Sequence, residues 1–256
     1  MLHDNLNIIG FLKNNLKDDD KLVLGESKIL LDYLTWFDSE FVEKKIIWIK
    51  SNDVILLDDC LVTVPMITHS PFRSPFLSIA LKQWSKKRIS QLVTIPKQRT
   101  IIYYSRKASN TFHGRIMDDQ NEKQIITKIQ YMMRKLNRKE NLVIFNGEEN
   151  MRTMSFSRQC KLFSSAKLVI GSHGSGMVNV FYMQRHNNPK VIEFVPGKRS
   201  LIQGTHPYGK TYYNLWSGLP WIEYCHIPFT KDSTKEITKI NIKDLENAMG
   251  MVLNSK

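Results

Sequence analysis

From about residue 98 onward, short β-branched runs alternate with amphipathic stretches of helical length, and that alternation leaves the chain few architectures. TIIYYSR (100–106), NLVIF (141–145), KLVIG (167–171), KVIEFVP (190–196) and WIEYCHI (221–227) read as strands. Between the first two, residues 121–139 repeat apolar side chains at helical spacing through Ile125, Ile129, Met132, Met133 and Leu136. Residues 155–166 predict a helix capped by Ser155, another helix starts near Met177, YYNLWSGL (212–219) looks helical, and IKDLENAMGMVL (242–253) closes the chain. Strands separated by helices of this length predict right-handed crossovers and a parallel sheet. The expected class is α/β, with a Rossmann-like C-terminal domain over residues 98–256. Residues 1–97 predict a smaller, less regular lobe, with strands at 44–50 and 54–65 and a helix with a basic face at 76–89.

Several classes drop out at once. No stretch approaches the roughly 18 uncharged apolar residues of a membrane helix. Cys60, Cys160 and Cys225 lie far apart, so neither a disulfide framework nor a CxxC metal site is indicated. The opening MLHDNLNIIGFLKNN is not a signal peptide.

The formal charge of +13 is unevenly spread. Residues 60–117 hold ten basic and no acidic side chains, and residues 151–192 hold six basic and none acidic. An uncompensated positive field attracts anions. A solvated basic face explains part of it, and nucleic acid is a second anionic partner to weigh. No RRM, KH, zinc-finger or helix-turn-helix pattern accompanies the tracts, so a phosphate-bearing small molecule accounts for the charge more economically.

The strongest local signal is Gly171-Ser172-His173-Gly174-Ser175-Gly176, between a strand and the expected helix. Small residues there let a ligand approach the backbone, and a helix N-terminus attracts phosphate; a tight turn packing helix on strand is the plain alternative. The run is neither GxGxxG nor a P-loop. Glu193, the first acid after 43 residues without one, closes a strand at the same sheet edge, where a carboxylate accepts ribose hydroxyls. Arg106 ends a strand and Arg115 follows Gly114, so two guanidinium groups are expected at one crevice, able to neutralise a departing diphosphate without a metal. His and Cys residues show no metal spacing.

Taken in order, YYSR, GRIMDDQNE, LFSSAKLVIGSHGSGMVNVFYM and VIEFVP resemble glycosyltransferase family 61, which includes O-linked N-acetylglucosaminyltransferases and plant xylan-modifying enzymes. The family's pattern falls on Ser105, Arg106, Arg115, Asn121, Glu122, Ala166, His173, Gly174, Ser175, Asn179, Phe181, Glu193 and Pro196. PYGKTYYNLWSGLPWIEYCHI is similar to its tyrosine-rich tail. Ser175 stands where alanine is usual, residues 117–120 add length after Arg115, and the first lobe is short.

The resemblance implies a GT-B architecture of two Rossmann-like lobes, with the donor on the C-terminal one. It implies an inverting, metal-independent transfer of a sugar, N-acetylglucosamine-like or xylose-like, from a UDP-sugar to a hydroxyl of a protein or glycan acceptor, with no cofactor. The implied donor-binding set is Arg106, Arg115, Asn121, Glu122, His173, Gly174, Ser175, Gly176 and Glu193. Two other readings stay open: a nucleotide- or glycan-binding homologue with little activity, and a nucleic-acid-binding protein using the 60–117 tract. Inversion needs a general base. His69, Asp53, Asp58, Asp59, His113 and His173 are all available, and no motif singles one out. Without a signal anchor or an N-x-[ST] sequon the chain reads as soluble and cytoplasmic, or as a segment of a longer secretory-pathway protein.

Overall fold

The computed structural model describes residues 9, 12–13, 15–26, 28–50, 99–106, 116–149, 152–196, 221–231 and 237–254. The strand expected at 54–65 and the helices at 76–89 and 212–219 lie outside them. The chain divides into two compact units, Met1–Leu92 and Val93–Lys256.

In the first unit, β1 (Leu22–Gly25) and β2 (Ile46–Ile49) pair in parallel, joined by α1 (Lys28–Lys45). Leu30, Leu34, Phe37, Phe41 and Val42 recur at three- and four-residue steps and are buried, which makes the apolar stripe of α1. The helix breaks at Asp38, whose backbone is extended. The Asp38 carboxylate accepts from the Phe41 N–H at 3.0 Å and so caps the second piece, and it also pairs with Lys13. The strand read at 44–50 starts later, at Ile46, because Lys44 and Lys45 end the helix. There two cations favour the negative end of the helix dipole, and Lys44 meets Glu40 one turn back at 2.8 Å.

The second unit is built on a seven-stranded sheet in the order β4-β11-β10-β9-β8-β3-β5. Its strands are β3 (Thr100–Tyr104), β4 (Ile116–Met117), β5 (Asn141–Phe145), β8 (Ala166–Ser172), β9 (Lys190–Pro196), β10 (Glu223–Lys231) and β11 (Ile237–Ile240). A separate short hairpin joins β6 (Glu148–Glu149) to β7 (Arg152–Thr153). Five neighbours, β10, β9, β8, β3 and β5, run parallel, as expected. β11 is antiparallel to β10 and carries β4 beside it, so the sheet is mixed rather than all parallel. The reason is local, since only five residues separate β10 from β11, too few for the crossover of a dozen or more that a parallel return requires.

α2 (Asp119–Lys135) and α4 (Ile242–Asn254) cover one face, with Ile125, Ile129, Met132, Leu245, Met249 and Val252 packed on Ile101, Tyr103, Ile170, Ile192 and Phe194. The opposite face takes the alternate residues and α3 (Phe156–Ser164). There Phe145 packs edge-on against Phe163, with ring centroids 5.1 Å apart. Ser155 caps α3 by accepting from the Arg158 N–H, as its sequence predicted. The helix expected from Met177 is instead a 3-10 segment, Ser175–Tyr182, preceded by Gly174, with Met177 and Asn179 to Tyr182 buried.

The chain runs from β3 out to β5 on one side and then back across to β8 on the other, passing over opposite faces. β3 and β8 therefore flank a topological switch point, and ligands of open α/β sheets bind outside the carboxyl ends of such strands. Two glycines separate local preference from packing. Gly250 lies in α4 with nothing within 4 Å of the position a β-carbon would take. At Gly171 a β-carbon would lie 2.7 Å from Tyr104 Cβ and 2.8 Å from the Tyr104 carbonyl oxygen. In chemical denaturation we expect Gly250→Ala to stabilise the fold by ~0.5–1 kcal/mol and Gly171→Ala to destabilise it by about 1–3 kcal/mol. Equal effects at the two positions would contradict this assignment.

Candidate functional site

Four residues lie side by side across the sheet at the level where β3 and β8 end: Tyr104 on β3, Gly171 on β8, Glu193 on β9 and His226 on β10; Glu193 does not close its strand, which runs on to Pro196. Cross-strand partners in register share a face, here the one that carries α3. Just beyond this row, Arg106 lies two residues past β3 and His173 follows β8 directly.

Arg106 is buried, and its Nη1 donates to the His173 backbone carbonyl at 2.6 Å. His173 is buried too, and its own N–H donates to the Phe194 carbonyl at 2.8 Å, which extends the β8–β9 ladder into the loop. Its ring Nδ1 lies 2.9 Å from Glu193 Oε1, and the Tyr224 hydroxyl donates to Glu193 Oε2 at 2.7 Å. A carboxylate has no proton to give, so toward Glu193 the ring nitrogen Nδ1 is the donor. A cation, an oriented imidazole and a buried carboxylate thus meet at the switch point.

The glycines of the loop serve this geometry directly. A β-carbon on Gly174 would overlap the Arg106 guanidinium, and one on Gly176 the Tyr104 ring. The room that a side chain would take at these two positions is filled by Arg106 and Tyr104. With a 3-10 segment in place of an α-helix after the loop, the positive charge here comes from Arg106 and not from a helix dipole.

Asn121 and Glu122 belong to a different constellation, on the face that carries α2. Asn121 Nδ2 donates to the Ile240 carbonyl at 3.1 Å, and its Oδ1 accepts from the Ile240 N–H at 2.9 Å, so its amide docks α2 onto β11 as a strand's backbone would. Glu122 accepts from Ser105 Oγ at 2.7 Å and from the Tyr103 hydroxyl at 3.2 Å. Burial, reinforced by the Glu122 charge, pushes the Tyr103 phenol far above its ordinary range and keeps it a proton donor. The structure therefore does not bring Asn121 and Glu122 to the His173 cluster. Asn179 ties the 3-10 segment to α3 through Gln159 at 2.9 Å, and Phe181 is buried. Arg115 lies outside the described residues, as do His69, His113, Asp53, Asp58 and Asp59.

A family model described as Glycosyltransferase 61 matches residues 7–189, more than two thirds of the chain. The chain belongs to glycosyltransferase family 61. It is a glycosyltransferase, and a sugar donor and an acceptor are its substrates. No curated protein matches it. Among the described residues no helix is long and apolar enough to cross a membrane. Also among them, no three His, Cys, Asp or Glu side chains gather as metal ligands.

The matched span of family 61 takes in Arg106, His173 and the glycine loop but stops before β9. Glu193 lies beyond it, as do Tyr224 and His226, which the sequence reading passed over as strand residues. Their sequence signals are a place in the tyrosine-rich stretch 207–227 and alternation: Tyr224, His226 and Pro228 share one face of β10, and Cys225, Ile227 and Phe229 the other. Burial lowers the tendency of His226 to take a proton, partly opposed by the charge of Glu193. As pH falls, the unfolded chain therefore protonates this residue before the folded one does, and stability is lost below the ordinary histidine value of about 6.5. Denaturation between pH 5 and 8 is expected to show that loss and, in His226→Gln, a shallower one. An unchanged pH slope in the variant would remove His226 as its source.

Proposed function

We propose that this family 61 enzyme holds a UDP-sugar at the carboxyl ends of β3 and β8 and transfers the sugar, with inversion and without a metal, to a hydroxyl of a protein or glycan acceptor. The observation that carries the proposal is the buried Arg106 guanidinium, fixed beside His173 and Gly174 at the topological switch point. A buried cation at a crevice of this kind suits the diphosphate of a nucleotide, whose charge grows on the leaving side as the glycosidic bond breaks. His173 to Gly176 contact the nucleotide in this reading. Glu193 orders the loop by holding His173, and Arg115 is a second cation for the diphosphate. Asn121 and Glu122 support the donor from behind, by anchoring α2 and the end of β3.

The unit Val93–Lys256 is the donor lobe of a GT-B arrangement in this account, and the unit Met1–Leu92 takes the acceptor side. The sugar itself, N-acetylglucosamine-like or xylose-like, is chosen by contacts beyond those described.

Removing a hydrogen bond to a charged group costs about 1.5–3 kcal/mol, and Arg106→Ala is expected to weaken UDP binding by that amount in calorimetry while the protein stays folded. Undiminished affinity would remove Arg106 from the diphosphate site. Transfer is expected to continue after chelation by EDTA. Activity lost with EDTA and restored by manganese would overturn the metal-free part of the mechanism.

A further inference from the structure

Glu193 is held at both oxygens, and only one of the two bonds belongs to the loop that the family pattern covers. Oε1 takes His173 Nδ1 at 2.9 Å, and Oε2 takes the Tyr224 hydroxyl at 2.7 Å. Tyr224 stands on β10, two residues before His226 and on the same face, and is paired in register with Val191. Its ring therefore lies one step behind Glu193 along the parallel strands. We propose that Tyr224 is a positioning residue for His173, acting through Glu193 to fix the orientation and the tautomer of the imidazole.

The reasoning is torsional and electrostatic. The last torsion of a glutamate side chain is broad and roughly two-fold, so a single hydrogen bond leaves the carboxylate plane free to rock. A second donor on the other oxygen fixes that plane. It also gives each oxygen of this group, which is fully excluded from solvent, a hydrogen-bond donor. A carboxylate with a fixed plane accepts the His173 Nδ1 proton from one direction, which in the neutral ring leaves Nε2 as the acceptor. The groups facing Glu193 are His173 from the loop after β8, and Tyr224 and His226 from β10, with Arg106 beside His173 at the end of β3. Tyr224 donates to Oε2 while His173 holds Oε1. The functional meaning of the relay rests on the donor-site reading above, but its existence does not.

Ligand-free protein labelled with nitrogen-15 in histidine reports the relay directly, with the His173 ring assigned as the signal lost in His173→Gln. In the wild type, His173 is expected to show a solvent-protected proton on Nδ1 and a bare Nε2. In Tyr224→Phe, that proton is expected to exchange at least tenfold faster. A bare Nδ1 in the wild type, or an unchanged exchange rate in a folded Tyr224→Phe protein, would overturn the proposal. Should the phenylalanine variant not fold, fluorotyrosine placed at position 224 keeps the shape and makes the phenol a stronger donor. It is expected to shift the His173 Nδ1 proton resonance, and an unmoved resonance contradicts the relay. A parallel titration with UDP separates the two claims. A ring coupled to residue 224 in protein that ignores UDP upholds the relay and contradicts the donor site; a ring indifferent to residue 224 in protein that binds UDP does the reverse.

Discussion

Tyr104 and Arg106, at and just past the end of β3, need space that Gly171 in β8 and Gly174 and Gly176 beyond it provide, and the site is arranged around that fit. Tyr104 fills the room over Gly171 and Gly176, and Arg106 the room at Gly174. Arg106 can then reach the His173 carbonyl, and the loop stays close enough to β9 for its imidazole to meet Glu193. A methyl group at any of the three glycines would push on a side chain or backbone of β3, in an interior that packs as densely as an organic crystal. The glycines are therefore positioning elements whose absent side chains place a cation and an imidazole.

Burying an arginine and a glutamate in one cluster carries a desolvation cost that only satisfied geometry offsets. Glu193 has two donors, and Arg106 has at least one strong acceptor, so the charges are spent on holding shape as well as on any ligand. On the other face, Asn121 and Glu122 do comparable work for the edge of the sheet, tying α2 to β11 and to the end of β3. One strand, β3, thus sends Tyr103 and Ser105 to a supporting network on one face, and Tyr104 and Arg106 to the site on the other. A period of two in the backbone separates support from chemistry.

Much of the second unit was legible because its signals are local. NLVIF and KVIEFVP form β5 and β9 over the residues read from sequence, and the apolar spacing of Ile125, Ile129 and Met132 marks the buried stripe of α2. The placement of Arg106 at a strand end was equally local. Other features depend on partners far along the chain. β4 has two residues and β11 four, too few for periodicity, and both exist through pairing. The glycine loop carried a phosphate-loop expectation because its composition says that space is needed; which atoms take the space depends on Arg106, 67 residues from His173. Tyr224 reaches Glu193 across 31 residues, and neither its place in an alternating strand nor the tyrosine-rich stretch around it names that partner.

The most direct test of the account is amide hydrogen exchange, read peptide by peptide with and without UDP. If the donor lies at the β3–β8 switch point, UDP slows exchange in segments covering Tyr104–Arg106 and Ser172–Met177 and leaves α4 as it was. Protection confined to other segments, or none at saturating UDP, would contradict it.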